Sequence, residues 1–123
     1  MRRPRLVRLG TLVCAAVLLF IAPPPGSSQD RKVVQVTAER FTFTPSQIKV
    51  KRGTVIEFQL RSDDTNHGFH IVGSDARVII PKRGRGAATL VFRAETAGRY
   101  TFECSKMCGA GHGFMRGLIT VEE

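Results

Sequence analysis

From Cys104 to Met115 the chain reads Cys-Ser-Lys-Met-Cys-Gly-Ala-Gly-His-Gly-Phe-Met, a spacing of C-x3-C-x3-H-x2-M. Two thiols, an imidazole and a thioether fall in one short segment. Thiolate and thioether select copper(I), zinc or iron–sulfur, and imidazole suits copper and zinc. A thioether is a poor zinc ligand, so Met115 turns the preference towards copper. Two more histidines, His67 and His70, lie upstream in Asn66-His67-Gly68-Phe69-His70. All three histidines, and every cysteine but Cys14, therefore sit in two short segments.

Each donor also has a plainer reading. Cys104 and Cys108 would form a disulfide in an oxidising compartment. That leaves the offsets of His112 and Met115 unexplained, and so small a ring gains little from chain entropy. Met115 by itself would read as core, and its offset from His112 is what makes it a donor. Met107, between the cysteines, reads as packing rather than as a ligand. His70 stands at an odd offset from His67, on the opposite face of a strand, and reads as a surface or rim histidine. Gly109, Gly111 and Gly113 interleave with the donors and let a loop close tightly around a metal.

Short strands must hold such a loop. Val33 to Ala38 is β-branched and opens the series. Phe41 to Thr44 alternates and breaks at Pro45, and Ile48 to Lys51 alternates up to Arg52-Gly53. Val55 to Leu60, Phe69 to Val72, Arg77 to Ile80, Ala88 to Phe92, Arg99 to Glu103 and Leu118 to Val121 follow. Val55 belongs to neither face of its strand by pattern. No stretch after the N-terminus keeps a period of 3.6, and turns recur every eight to twelve residues or so, as in an all-β sandwich or barrel. The candidate core is Phe43, Ile48, Val50, Ile56, Phe58, Phe69, Ile71, Leu90, Phe92, Tyr100, Phe102, Ile119 and Val121.

The 123 residues suit one domain. Arg2, Arg3, Arg5 and Arg8 precede the apolar run Leu9 to Ala22, and no acid occurs before Asp30. A basic start, an apolar run and then Pro23-Pro24-Pro25-Gly26-Ser27-Ser28 predict an export signal at 1–28, with an uncleaved anchor as the alternative. The run is short of the roughly 20 residues that span a bilayer. Cys14 follows Val13 inside it, where a lipoprotein signal needs a small residue. Residues 29–32 read as a linker and 33–123 as the domain. Without residues 1–28 the chain holds 15 Lys and Arg against 10 acids, a balance that favours acidic partners or an anionic membrane surface. The charges are scattered rather than clustered, which argues against nucleic acid.

The donor segment resembles the copper A loop of cytochrome c oxidase subunit II, shared with nitrous oxide reductase. Asp64-Thr65-Asn66-His67-Gly68-Phe69 is similar to the context of that family's distant histidine. The resemblance covers roughly residues 33 to 123. It implies metal ligation by His67, Cys104, Lys106 (through its carbonyl alone), Cys108, His112 and Met115, with copper as the cofactor, two ions bridged by the two thiolates. Phe41 to Gly53, as F-x-F-x-P-x-x-I-x-V-x-x-G, resembles the opening of a cupredoxin, which implies an all-β Greek-key β-sandwich. The function implied is electron transfer, without bond chemistry of its own. The partners implied are redox proteins, a cytochrome or a terminal oxidase core, with membrane association through the N-terminal segment. The place implied is the periplasm or the outer face of the cytoplasmic membrane. A copper chaperone or store, and a mononuclear cupredoxin, use the same donors and remain open.

The chain also departs from that family. Lys106 stands where many oxidase subunits carry a Glu that serves a magnesium site. Tryptophan, through which many take electrons from cytochrome c, is absent. The balance is basic where a face for a lysine-ringed cytochrome should be acidic. One apolar run stands where subunit II typically has two membrane helices.

Overall fold

Alternating side chains sort onto two faces, and two faces make a sandwich. The structure, a computed structural model, describes residues 29–123. The signal or anchor expected at 1–28 lies outside the described residues. The strands are β1 (Arg31–Glu39), β2 (Thr42–Thr44), β3 (Gln47–Lys51), β4 (Val55–Ser62), β5 (His67–Ile71), β6 (Arg77–Ile80), β7 (Ala88–Arg93), β8 (Gly98–Glu103) and β9 (Arg116–Glu122). β1 begins at Arg31 rather than Val33, inside the stretch read as linker. A short 3₁₀ turn spans His112–Phe114. No helix among the described residues is long and apolar enough to cross a membrane.

One sheet runs β2-β1-β4-β7 and the other β3-β9-β8-β5-β6. The pairs β1–β4 and β3–β9 are parallel, with Val34 opposite Phe58 and Ile48 opposite Ile119. Parallel neighbours need long crossovers, here from sheet to sheet, so the fold is all-β with mixed sheets.

The core lies between the sheets. Four phenylalanines occupy its centre, with Phe69 touching Phe43, Phe58 and Phe102 at centroid distances of 5.4, 5.0 and 4.9 Å. Such contacts add about 0.5–1.5 kcal/mol each beyond area burial. Most of the expected core is buried, but Leu90, Phe92 and Tyr100 are only partly so. The reason for Leu90 and Phe92 is that β7 is an edge strand, covered on one side. Phe92 and Tyr100 meet edge-on across the rim at 5.4 Å. Val34, Val36, Ala38, Leu60 and Ile80 complete the interior, and Val55 is buried too.

The registers gather four loops at one end. His67 faces Ile80, Leu60 faces Ala88, Ala38 faces Phe43, and Glu103 faces Arg116. The connections at 40–41, 63–66, 81–87 and 104–115 therefore share that end. Backbone bonds tie them together, with Asp63 N–H donating to Ala38 O (3.0 Å) and Arg83 N–H to Asp64 O (3.1 Å).

Candidate metal centre

β8 ends at Glu103 and delivers Cys104 to the rim. Cys104 N–H donates to Met115 O at 3.0 Å, closing the base of the β8–β9 loop. Inside it, His112 N–H donates to Gly109 O and Phe114 N–H to Gly111 O, at 3.1 and 3.0 Å. Phe41 fills the space beside this turn. A Cβ on Gly109 would lie 2.9 Å from the Phe41 ring, and one on Gly111 would penetrate that ring. Gly113 has open space, so the close fit belongs to two of the three loop glycines.

Gly68 explains how the loop reaches the fifth strand. His67, Phe69 and Ile71 point into the core, so the 68 position faces outward, yet it is buried. The ligand loop crosses directly over it. A Cβ there would collide with Ser105 Oγ and come within 2.8 and 2.7 Å of the backbone nitrogens of Ser105 and Lys106. The missing side chain lets the loop lie against β5 and turn the Lys106 carbonyl towards Cys104.

Six donors converge. The Cys104 and Cys108 sulfurs are 3.6 Å apart, far beyond the roughly 2.05 Å of a disulfide, and both cysteines are free. Cys104 Sγ has His67 Nδ1 at 3.9 Å and Lys106 O at 3.1 Å. Cys108 Sγ has His112 Nδ1 at 3.7 Å and Met115 Sδ at 3.9 Å. Each sulfur is thus flanked by one imidazole and one weak donor. The ligand atoms of His67, Cys104 and Cys108 lie within 4.8 Å of one another. His67, Cys104, Cys108 and Met115 are buried, and His112 is half-buried. Soft sulfur with imidazole, closed off from water, fits copper, whereas hard cations need oxygen ligands.

Contacts behind these donors orient them. Asp64 Oδ1 sits 2.6 Å from His67 Nε2. With Nε2–H donated to Asp64, the lone pair is left on Nδ1, facing the sulfurs. The Asp64 carboxylate also accepts from Arg40 N–H (Oδ2, 2.9 Å). Burial opposes its charge, but the hydrogen bonds from His67 and from the Arg40 and Thr65 backbone outweigh that and hold the carboxyl down at about 2. Arg40 Nε–H donates to Cys108 O at 2.6 Å, binding the β1–β2 turn to the ligand loop. Burial, then the neighbouring Cys104 thiol, pushes the Cys108 thiol up to about 11. Copper uptake must therefore displace a proton there and tightens as pH rises.

Asp64 stands in the Asp64-to-Phe69 context of His67, but its role as the partner of that imidazole emerges only from the turn that folds it back. Nothing in the local pattern marks Arg40, which meets Cys108 across 68 positions of chain. Met107, read as packing, is instead 75% exposed, because the loop turns the residues between the cysteines outward. His70 follows expectation, on the outer face with Glu103 at 3.8 Å. A groove of about 380 Å³ lies elsewhere, over Gln35, Thr37, Gln59 and Arg61, and holds no thiol or imidazole.

Asp64→Asn is expected to weaken copper binding about 10- to 100-fold, the usual cost of losing a ligand's orienting partner, measured by competition with a copper chelator. It should also change the acid limb. A carboxyl held below its ordinary 3.8 stabilises the fold fully above that value and ceases to as pH falls through about 2. Denaturant titrations of the Asn variant should lack this dependence between about pH 4 and 2.

A two-sheet sandwich with soft donors on the loop before its last strand defines a copper-protein architecture. The chain belongs to the cupredoxin-like domain family, which it matches over residues 11–121. It is 35% identical over 91 residues to cytochrome c oxidase subunit 2 of Thermus thermophilus, covering 73% of this chain and 65% of that protein. A second subunit 2 from the same species is also 35% identical, with 52% of its length covered. The chain thus spans about half to two thirds of those relatives. Among solved structures it is similar to a chain of a heme-copper terminal oxidase dimer, with TM-score 0.70, 26% identity and 91% and 78% of the two chains covered. The periplasmic domain of subunit II of cytochrome oxidase from Bradyrhizobium japonicum shares the fold, with TM-score 0.67, 20% identity and coverage of 75% and 84%.

Proposed function

We propose that the chain is an electron-transfer domain holding two copper ions between His67, Cys104, the Lys106 carbonyl, Cys108, His112 and Met115. The observation that carries this reading is the matched surroundings of the two sulfurs. Each has one imidazole and one weaker donor on its own side. A single ion would leave one set idle.

Copper bound there supplies a reversible one-electron couple. The chain's own residues make that couple usable. Asp64 keeps the His67 proton on Nε2, and Arg40 holds the Cys108 segment in place. The Cys104–Met115 backbone bond fixes the loop ends, so the donors move little between oxidation states. The Phe69 cluster behind His67 keeps water out. No residue here need transfer a proton to a substrate.

The likeness to oxidase subunits supports an extracytoplasmic site of action and a terminal oxidase or cytochrome as the redox partner. Copper analysis with electron-spin resonance on the loaded full chain tests the reading. Two coppers per chain with one spin shared over both nuclei is the expected result. One copper with a localised spin would indicate a mononuclear centre, and spin-silent copper surrendered to a chelator would indicate a copper carrier. Met115→Leu should retain copper but shift the reduction potential, because a weak donor tunes the metal without holding it. Voltammetry checks this, and loss of all copper would remove Met115 from its assigned role.

A further inference from the structure

The donors lie beneath a surface of unusual make-up. On it Phe114 is 84% exposed and Met107 75% exposed. Both belong to the ligand loop, one beside Met115 and the other beside Cys108. Exposed on the loops of the same end are Arg40, Lys82, Arg83, Arg85 and Lys106. The 81–87 loop is fixed against the site, since Arg83 N–H donates to Asp64 O and Lys82 N–H to Asn66 Oδ1 (2.7 Å). Elsewhere Lys49 pairs with Glu122 at 3.5 Å and Arg52 with Glu123 at 3.1 Å, while Lys32, Lys51, Arg77, Arg93 and Arg99 make no ion pair among the described residues. Among the described residues, Lys82, Arg83, Arg85 and Lys106 take part in no ion pair. The acids of this end are few. Glu39 and Asp63 are exposed, but Asp64 turns inward to His67 and Glu103 lies against His70.

We infer that this end docks a redox protein whose cofactor edge is apolar and ringed by carboxylates. The inference rests on the electron-transfer reading and names its partner's chemistry. Exposed apolar side chains accompanied by cations on one face suit a protein interface, in which aromatic residues, Met and Arg are enriched. Unpaired cations on one face attract an acidic surface and raise encounter rates about 10- to 1,000-fold at low salt. A lysine-ringed cytochrome would be repelled by the same face. Phe114 and Met107 place the partner directly over the donors, on the side where His112 is half-buried.

The test uses cytochrome c in two forms, native and with its lysines succinylated, so that one haem protein presents opposite charge. Amide shifts of the metal-free full chain are recorded with each. Stopped-flow electron transfer is then followed with the copper-loaded chain between about 10 and 500 mM salt. The succinylated form should shift amides at 82–85, 106–107 and 114. Its rate should fall at least about tenfold as salt screens the charges. K82E/R83E/R85E should abolish that dependence, and F114S should slow the reaction at every salt concentration. Faster reaction with native cytochrome, or rates indifferent to salt, would overturn the inference. So would shifts at these loops with phosphatidylglycerol vesicles and none with the succinylated protein, because the surface would then be a membrane contact. A chain that takes up no copper ends the electron-transfer reading instead, while the metal-free shifts still decide the docking surface.

Discussion

Replacing either Cys104 or Cys108 by serine is expected to abolish the proposed two-copper centre outright, and to do so equally. The two sulfurs are adjacent and buried, each between its own imidazole and its own weak donor. If both ions depend on both thiolates, neither residue is dispensable. A hydroxyl is a hard donor and does not substitute for thiolate towards copper. The fold should survive, since a buried hydroxyl costs only about 1–3 kcal/mol. Circular dichroism separates loss of the metal from loss of the fold. A variant that stays fully coloured would mean that one thiolate suffices, and the centre would be mononuclear.

Gly68→Ala is the second large effect. Its Cβ would enter the space taken by Ser105 and the backbone nitrogen of Lys106. A flexible side chain can swing away from such a clash, but backbone cannot. The loop must lift from β5, carrying the Lys106 carbonyl away from Cys104 and stretching the approach of Cys104 to His67. We expect about 1–3 kcal/mol lost in stability, the range for overpacking, together with an altered or absent copper spectrum. Gly113→Ala is the control, because its Cβ meets open space, and it should keep the copper spectrum. Equal behaviour of the two variants in thermal unfolding and copper titration would refute this account of the loop crossing.

Much of this donor cluster was legible because side chains that are to share one metal must keep a constrained spacing along the chain. Cys104, Cys108, His112 and Met115 lie within one loop, so their order alone suggested a soft metal. His67 needed the Asp64-to-Phe69 context, since the strand that carries it is far away in sequence. The strands announced themselves where one face is buried and the other wet, as in β3, where Ile48 and Val50 point in and their neighbours out. The pattern failed where a second cover intervened. Gly68 faces outward by alternation but is buried under the ligand loop, and no periodicity foretells that. Arg40 was invisible for the same reason, its partner being a backbone carbonyl, which every residue possesses. Met107 went the other way, because apolar character is a guide to burial only where a core is within reach.

The pairing of β3 with β9 has a kinetic consequence. Ile48 meets Ile119, and Val34 meets Phe58 in the parallel β1–β4 pair. Partners so far apart in sequence make folding slow, on the millisecond-to-second scale of sandwich proteins. The donor loop is closed only when Met115 O accepts from Cys104 N–H and β9 zips onto β8 and β3. The donor pocket is therefore expected to be among the last features to form, which the order of amide protection in pulse-labelled refolding would check. Until then the β8–β9 loop carries two bare thiols, and the moment at which the final strand docks would set when metal can be loaded.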